Sequence, residues 1–167
     1  MIYLKEANME CAAKEYAFVS RLPLCENGFA NECPGISEAE FTERVLPRMM
    51  AFARGEGLPV GYVPETSLFL WEDGEIVGLF RVRHALTELL REGAGHIGYS
   101  IARERRGRGL ATKGLALALE FARTVVPEDE IYMSVLKDNP ASLRVQQKNG
   151  AYIHHSDEKQ YYTRIKL

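Results

Sequence analysis

The sequence is short of cysteine, of long apolar runs and of net charge. Its three cysteines, Cys11, Cys25 and Cys33, are odd in number and lack CxxC spacing, so we expect reduced thiols and neither a disulfide framework nor a metal site. No apolar run approaches the ~20 residues of a membrane span, and the first residues do not read as a signal peptide. The net charge of −2 predicts no general attraction to nucleic acids or membranes. These absences favour a cytoplasmic protein.

The order of the predicted elements indicates an α+β fold with a mixed central sheet and helices on both faces. The 167 residues suit one domain, 1–167, with a substantial core. Strands are predicted at residues 1–7, 67–72, 75–83, 95–101, 131–136, 151–156 and 160–165, and helices at 9–22, 37 to the low fifties, 111–125 and 140–148. Asp73-Gly74 is a strong signal for a hairpin between two of these strands. Residues 24–35 read as a loop.

A glycine-rich turn lies between the strand at 95–101 and the helix at 111–125. It reads Arg105-Arg106-Gly107-Arg108-Gly109-Leu110-Ala111-Thr112. Such a turn directs backbone N–H groups into one concavity, where the helix dipole also favours negative charge. The two glycines remove the Cβ atoms that would keep a large anion away from the backbone. The segment therefore predicts a phosphate or pyrophosphate site.

The spacing within this turn excludes two common phosphate motifs. No Lys-Ser/Thr pair follows as in a Walker A loop, and the third glycine of a dinucleotide fingerprint is missing. The turn resembles motif A of the GNAT N-acetyltransferase superfamily, written Gln/Arg-x-x-Gly-x-Gly/Ala. Arg106, Gly109 and Ala111 occupy its three fixed positions.

A second segment, about 30 residues downstream, resembles motif B of the same superfamily. Asn139 suits a helix N-cap, Pro140 the first helical position, and Gly150 a left-handed C-cap. In the family such an Asn hydrogen-bonds the pantetheine arm of coenzyme A, although a plain capping Asn would look the same. Residues 66–167 further resemble a bacterial subgroup of predicted acetyltransferases. Residues 1–65 carry no recognised motif and are expected to shape the acceptor site.

The resemblance implies an acyl-CoA N-acyltransferase fold and direct acetyl transfer from acetyl-CoA to a primary amine of a small molecule or peptide. Main-chain groups of Tyr99 and Ile101 would contact the donor near its thioester. The loop N–H groups would bind the pyrophosphate, and the arginines would add positive charge for the phosphates. The implied donor-binding residues are Tyr99, Ile101, Arg106, Gly107, Arg108, Gly109, Leu110, Ala111, Thr112, Asn139 and Ser142. A solvated loop or a nucleic-acid patch is the alternative for the arginines.

Side-chain chemistry and position indicate the candidate catalytic residues. His96 is the first candidate for the base that deprotonates the amine, against the alternative of a hydrogen-bonded structural histidine; His84, Glu72 and Glu92 are further candidates. Many relatives place a Tyr seven residues after the motif B Asn to protonate the leaving thiolate, but here that position is Gln146. Tyr99, Tyr152 or Ser142 would then serve, or solvent would.

Two other functions stay open from the sequence. One is a non-catalytic, regulatory CoA-binding module, which the missing Tyr favours. The other is an unrelated phosphate-binding domain. Members of the superfamily often dimerise, so a homodimer is an alternative to a monomer.

Overall fold

Strands and helices follow the chain order that the sequence predicts, with several short additions. The computed structural model describes residues 1–167. Its elements are β1 (Ile2–Glu6), a 3₁₀ turn (Met9–Cys11), α1 (Ala12–Val19), β2 (Cys25–Glu26), β3 (Phe29–Ala30), α2 (Glu38–Glu40), a π-helical turn (Phe41–Val45), α3 (Leu46–Ala53), β4 (Glu65–Glu72), β5 (Glu75–Arg83), α4 (Glu88–Arg91), β6 (Ile97–Ile101), a 3₁₀ turn (Arg103–Arg105), α5 (Leu110–Val125), β7 (Glu130–Leu136), α6 (Pro140–Lys148), β8 (Tyr152–Ser156) and β9 (Gln160–Lys166).

The strands form two main sheets, with the orders β1-β4-β5-β6 and β7-β9-β8. Every ladder is antiparallel. The sheets meet where Gly95 faces Met133 and the His96 N–H donates to the Tyr132 carbonyl at 2.7 Å. The α+β fold is confirmed. Strands β6 and β7 form no ladder beyond this junction, so the central sheet is divided at this point.

Two apolar cores lie on opposite faces of the four-stranded sheet. Strand β4 supplies both, because Leu68 and Leu70 pack on the side of α5 while Phe69 and Trp71 pack on the side of α1 and α3. This alternation explains why β4 reads as a continuous apolar run, since both of its faces are buried. The result is a three-layer arrangement. None of the helices combines the length and the apolar character that crossing a bilayer requires.

The helix through Pro47 is broken into segments. The Leu46 N–H bonds to the Phe41 carbonyl, which closes a π-helical turn directly before the proline. Proline lacks an N–H and its ring crowds the preceding turn, so a wider turn accommodates it. Earlier in the chain, β2 and β3 form a small hairpin where a loop was predicted.

Candidate active site

Strands β6 and β7 separate beyond their junction, and the space between them belongs to a cleft of about 650 Å³. Strand β6 and residues 133–136 of β7 face each other across it. Residues 105–107 and 109–112, the first turns of α6 and the β2–β3 hairpin also line it. The predicted donor-binding residues are therefore brought together, although they come from distant parts of the sequence. Those that line the cleft are Tyr99, Ile101, Arg106, Gly107, Gly109, Leu110, Ala111, Thr112, Asn139 and Ser142.

Strand β6 turns unpaired backbone groups toward the cleft. Across its ladder with β5, Arg83 donates to His96 and Ala102 donates to Val77, at 2.8 and 3.0 Å. Residues alternate along an antiparallel ladder, so the backbone groups of Tyr99 and the N–H of Ile101 point away from β5 without a strand partner. Strand β7 has no partner on its own cleft-facing edge either. An extended ligand with amide groups can therefore pair with backbone here as an added strand would.

The loop 107–112 offers an anion site built from backbone. None of the N–H groups from Gly107 to Thr112 donates a hydrogen bond within the protein; the first helical bond of α5 runs from Lys113 to Gly109, at 3.1 Å. Gly107 and Gly109 both have φ +77, and no atom lies within 4 Å of the position of an added Cβ. Left-handed backbone of this kind favours glycine. Six donors without a protein acceptor thus lie next to one another at the positive end of a 16-residue helix, an arrangement that suits an anion.

The loop arginines are held by two glutamates. Arg106 donates to Glu26 at 2.6 and 3.2 Å and to the Ile101 carbonyl at 2.9 Å, and hydrogen bonding from Arg106 lowers the pKa of Glu26. Arg108 contacts Glu72 at 2.9 and 3.1 Å and does not line the cleft. The Arg106 N–H is also used, in a 3.3 Å bond to the Arg103 carbonyl. The structure therefore departs from the prediction for Arg108, whose side chain is outside the site, and for the Arg106 amide.

The start of α6 places two hydroxyl groups in the cleft. The Asn139 side chain caps the helix by accepting from the Ser142 N–H at 3.3 Å. The Ser142 hydroxyl lies 2.7 Å from that of Tyr99, whose ring stacks on Phe80. Burial raises the pKa of Tyr99 to about 12. Tyr99 therefore stays protonated at neutral pH and keeps a proton that it can donate.

His96 does not lie in the cleft. Its ring is fully buried; Nδ1 accepts from the Tyr132 N–H at 2.9 Å and Nε2 lies 3.2 Å from Glu128. Because a backbone N–H only donates, the ring proton sits on Nε2. Burial also lowers the pKa of His96. The structure does not support His96 as the base; it fixes the β6–β7 junction instead.

The other predicted bases are also outside the cleft. His84 contacts Thr66 at 2.8 Å beside a separate cavity of about 340 Å³. Glu72 is held by the loop arginines, and Glu92 does not reach the lining. Of the candidate acids, Tyr152 is exposed and donates to Glu130 at 2.8 Å. Of the acids predicted from the sequence, Tyr99 and Ser142 line the cleft, so they are the ones that remain candidates for proton donation.

Gln146, at the position where relatives carry Tyr, is almost completely buried. Its Oε1 accepts from the Thr163 hydroxyl at 2.6 Å and its Nε2 donates to the Ser134 carbonyl at 3.4 Å. It thus joins α6 to both β7 and β9. Its role is to position these elements at the cleft wall.

Several lining residues were missed by the sequence reasoning. Glu26 and Phe29 sit on the β2–β3 hairpin, and Arg81 lies on β5. A charged residue within an otherwise buried strand was the available signal for Arg81. For the hairpin the signal was Asn27-Gly28, whose residues have φ 50 and 83, because positive φ at both turn positions is typical of a tight hairpin.

The sequence also matches a family model. The Acetyltransferase (GNAT) domain model matches residues 29–152, about three quarters of the chain and including both motifs. The chain belongs to the GNAT acetyltransferase family. No protein with a curated description matches this GNAT sequence.

Solved structures share the GNAT fold along the whole chain. A GNAT-family acetyltransferase from Streptococcus pneumoniae superimposes with TM-score 0.67 at 18% identity, covering 100% of this chain and 99% of that one. RimJ from Mycobacterium smegmatis, in complex with CoA-disulfide, gives TM-score 0.67 at 20% identity, covering 99% and 82%. The self-immunity acetyltransferase MccE, in complex with acetyl-CoA and AMP, gives 0.71 at 13% identity, covering 99% and 92%.

Proposed function

We propose that the β6–β7 cleft binds acetyl-CoA and that the protein transfers its acetyl group directly to a primary amine of a small molecule or peptide. The observation that carries this proposal is a run of six backbone N–H groups without a protein acceptor, Gly107 to Thr112, in a loop that lines one end of the cleft. The unpaired edges of β6 and β7 extend from that end. The pyrophosphate of the donor suits the N–H groups, and its pantetheine amides suit the strand edges.

In the reaction, the neutral amine nitrogen attacks the thioester carbonyl, so that a C–N bond forms and the C–S bond breaks. The N–H of Tyr99 or Ile101 faces the cleft and polarises the carbonyl; such a donor contributes about 3 kcal/mol to lowering the barrier. The amine loses a proton to solvent, because the cleft contains no histidine and its Glu26 is already ion-paired. The thiolate takes a proton from Tyr99 as the C–S bond breaks, and solvent then returns a proton to the tyrosinate, which is the stronger base of the two because the pKa of Tyr99 is about 12.

Two further features support proposals about partners and compartment. Arg103, Arg105, Arg106 and Arg108 are each paired with Glu26 or Glu72, so the two glutamates offset half of the positive charge that a nucleic acid would meet on the loop. The Cys25 thiol is free and exposed, which supports a reducing compartment such as the cytoplasm.

Replacing Tyr99 tests the proposed chemistry. Tyr99→Phe removes the hydroxyl but keeps the ring stacked on Phe80, so acetyl-CoA should bind as in the wild type. We expect kcat to fall by about 10²-fold with little change in KM for acetyl-CoA, as for the loss of a general acid. Thiol release with amine acceptors, together with mass spectrometry of the products, measures both quantities.

Tyr152→Phe is the matched control, because Tyr152 is exposed and bonded to Glu130 outside the cleft. It should retain wild-type rates. A Tyr99→Phe variant with unchanged kcat would assign protonation of the thiolate to solvent. Acetyl-CoA binding by the wild type without thiol release to any amine would instead favour a regulatory CoA-binding module, for which Gln146 at the family's Tyr position is the supporting observation.

A further inference from the structure

Arg81 lies away from the phosphate loop, toward the other end of the cleft. In the β5–β6 ladder, Gly78 is opposite Ile101 and Arg81 is opposite Gly98. At about 3.3 Å per residue, three residues separate Arg81 from the loop end of β6 by about 10 Å. The loop follows Ile101 directly. Arg81 therefore lies away from the place where the donor's phosphates would bind.

The Arg81 guanidinium has no carboxylate partner. It donates to the Ala30 carbonyl at 2.7 Å and stacks on the Phe29 ring at 4.6 Å, and its Nε is buried without any acceptor. Burial lowers the pKa of Arg81. A partly buried cation without a counter-ion is destabilising. Its retention at a cleft wall is explained if a ligand supplies the missing negative charge.

The carboxylates around Arg81 are already paired with other arginines. Glu65 lies 3.2 Å from Arg83, which also lines the cleft. Glu32 is bound to Arg48. Glu26 is bound to Arg106 and Arg103. This end of the cleft therefore carries positive charge in excess.

Arg81 also stands where an acceptor would enter. Phe29, which its guanidinium covers, lies 3.6 Å from the Cβ position of Gly98, next to Tyr99. Phe80 and Tyr99 stack together on the side of α5, and by the alternation of a strand Arg81 and Gly98 point to the opposite face. The donor and a ligand bound to Arg81 would thus approach Tyr99 from different sides.

Resting on the proposed function, we propose that the acceptor is an amine that also carries an oxyanion, a carboxylate or a phosphate, and that Arg81 binds this anion. A guanidinium presents parallel N–H donors that match either group. Arg81 is then the residue that selects among amines. A polyamine or another acceptor without an anion would be repelled by the same charge.

Matched pairs of acceptors test this inference with the full-length protein. Glycine, lysine and glutamate are each compared with the corresponding carboxamide, and phosphoethanolamine with ethanolamine, by thiol release from acetyl-CoA. We expect kcat/KM for the anionic member to exceed that of its neutral partner by at least about tenfold in one pair, as removal of an ion pair at an interface predicts. The pair that shows the preference distinguishes carboxylate from phosphate.

Variants assign that preference to Arg81. In Arg81→Met the preference should disappear, chiefly through a higher KM for the acceptor, while Arg81→Lys should keep part of it. Arg123→Met, an exposed arginine on α5, is the matched control and should behave as the wild type. The dissociation constant of acetyl-CoA, measured by calorimetry, should be the same in all four proteins.

Equal rates for both members of every pair, or a preference that survives in Arg81→Met, would overturn the inference. If no amine is turned over, the same pairs are compared for thermal stabilisation of the CoA complex, and equal stabilisation by both members would also overturn it. The proposed function fails separately, if the wild type does not bind acetyl-CoA at all.

Discussion

Glu15 combines a fully buried carboxyl group with incomplete hydrogen bonding. Its Oε1 accepts from the Asn8 N–H at 3.1 Å, while its Oε2 has no partner. Burial raises the pKa of Glu15 to about 7, against smaller opposing effects of the Asn8 hydrogen bond and of Lys5. The folded state therefore holds a proton that the unfolded chain releases at a lower pH.

This linkage predicts how stability depends on pH. The contribution of protonated Glu15 is fully present below its unfolded pKa of about 4.5 and is lost as pH rises through the folded pKa of about 7. The loss is on the order of 3 kcal/mol at most. In Glu15→Gln this loss should be absent, so the variant should gain stability relative to the wild type between pH 5 and pH 8.

Urea unfolding at several pH values measures this difference. Glu43→Gln replaces an exposed glutamate and should follow the wild-type curve. Taking differences between proteins removes other titrating groups, including buried His96, whose lowered pKa acts in the opposite direction. A difference between Glu15→Gln and the wild type that does not vary with pH would contradict the raised pKa.

Individual residues also show which roles could not be predicted from the sequence. The identity of His96 and its position beside motif A favoured catalysis, yet its partners are Tyr132, from the strand after α5, and Glu128. Arg81 was not singled out, because its lack of a counter-ion emerges only once Glu65 and Glu32 are seen to pair elsewhere. Backbone roles, such as that of Gly109, follow from the local pattern and were predicted.

At the scale of elements, the β6–β7 junction determines the cleft. Gly95 has φ +68, and an added Cβ would lie 2.0 Å from the Tyr132 carbonyl oxygen. The backbone of both strands would have to move, since no flexible side chain is involved. Any side chain at residue 95 should therefore force β6 and β7 apart.

Gly95→Ala should lower the free energy of unfolding by at least about 3 kcal/mol, from the contact and the left-handed backbone together. Gly57→Ala is the control for the backbone alone, because Gly57 has φ +65 with nothing within 4 Å; it should cost about 1 kcal/mol. Denaturant titration compares the two variants. Equal losses would show that residue 95 has no close approach to β7.

Most elements were predictable from local patterns, including the β4–β5 hairpin at Asp73-Gly74 and α6 with its Asn139 cap. The β2–β3 hairpin was not predicted, although Asn27-Gly28 is a turn signal, because strands of two residues show no alternation. The separation of β6 from β7 could not be predicted from local sequence patterns either. It depends on contacts between segments far apart in the chain.

At the scale of the whole molecule, the two cores hold the two halves of the site. The core on the side of α5 fixes the loop 107–112 through Leu110 and Leu115. The core on the other face includes α1 and α3, and it supports the hairpin that carries Phe29. Residues 1–65 thus support one wall of the cleft, which is consistent with the proposal that they shape the acceptor site.

Thermal unfolding with acetyl-CoA, CoA, ATP and NAD in parallel tests the central claim most directly. A ligand at a hundredfold excess over Kd stabilises the native state by about 2.7 kcal/mol, which raises Tm by about 5–10 °C for a domain of this size. We predict that shift with acetyl-CoA and CoA, and little change with ATP or NAD, which lack pantetheine amides to pair with β6 and β7. No shift with either CoA ligand at millimolar concentration would contradict the assignment of the β6–β7 cleft as a donor site.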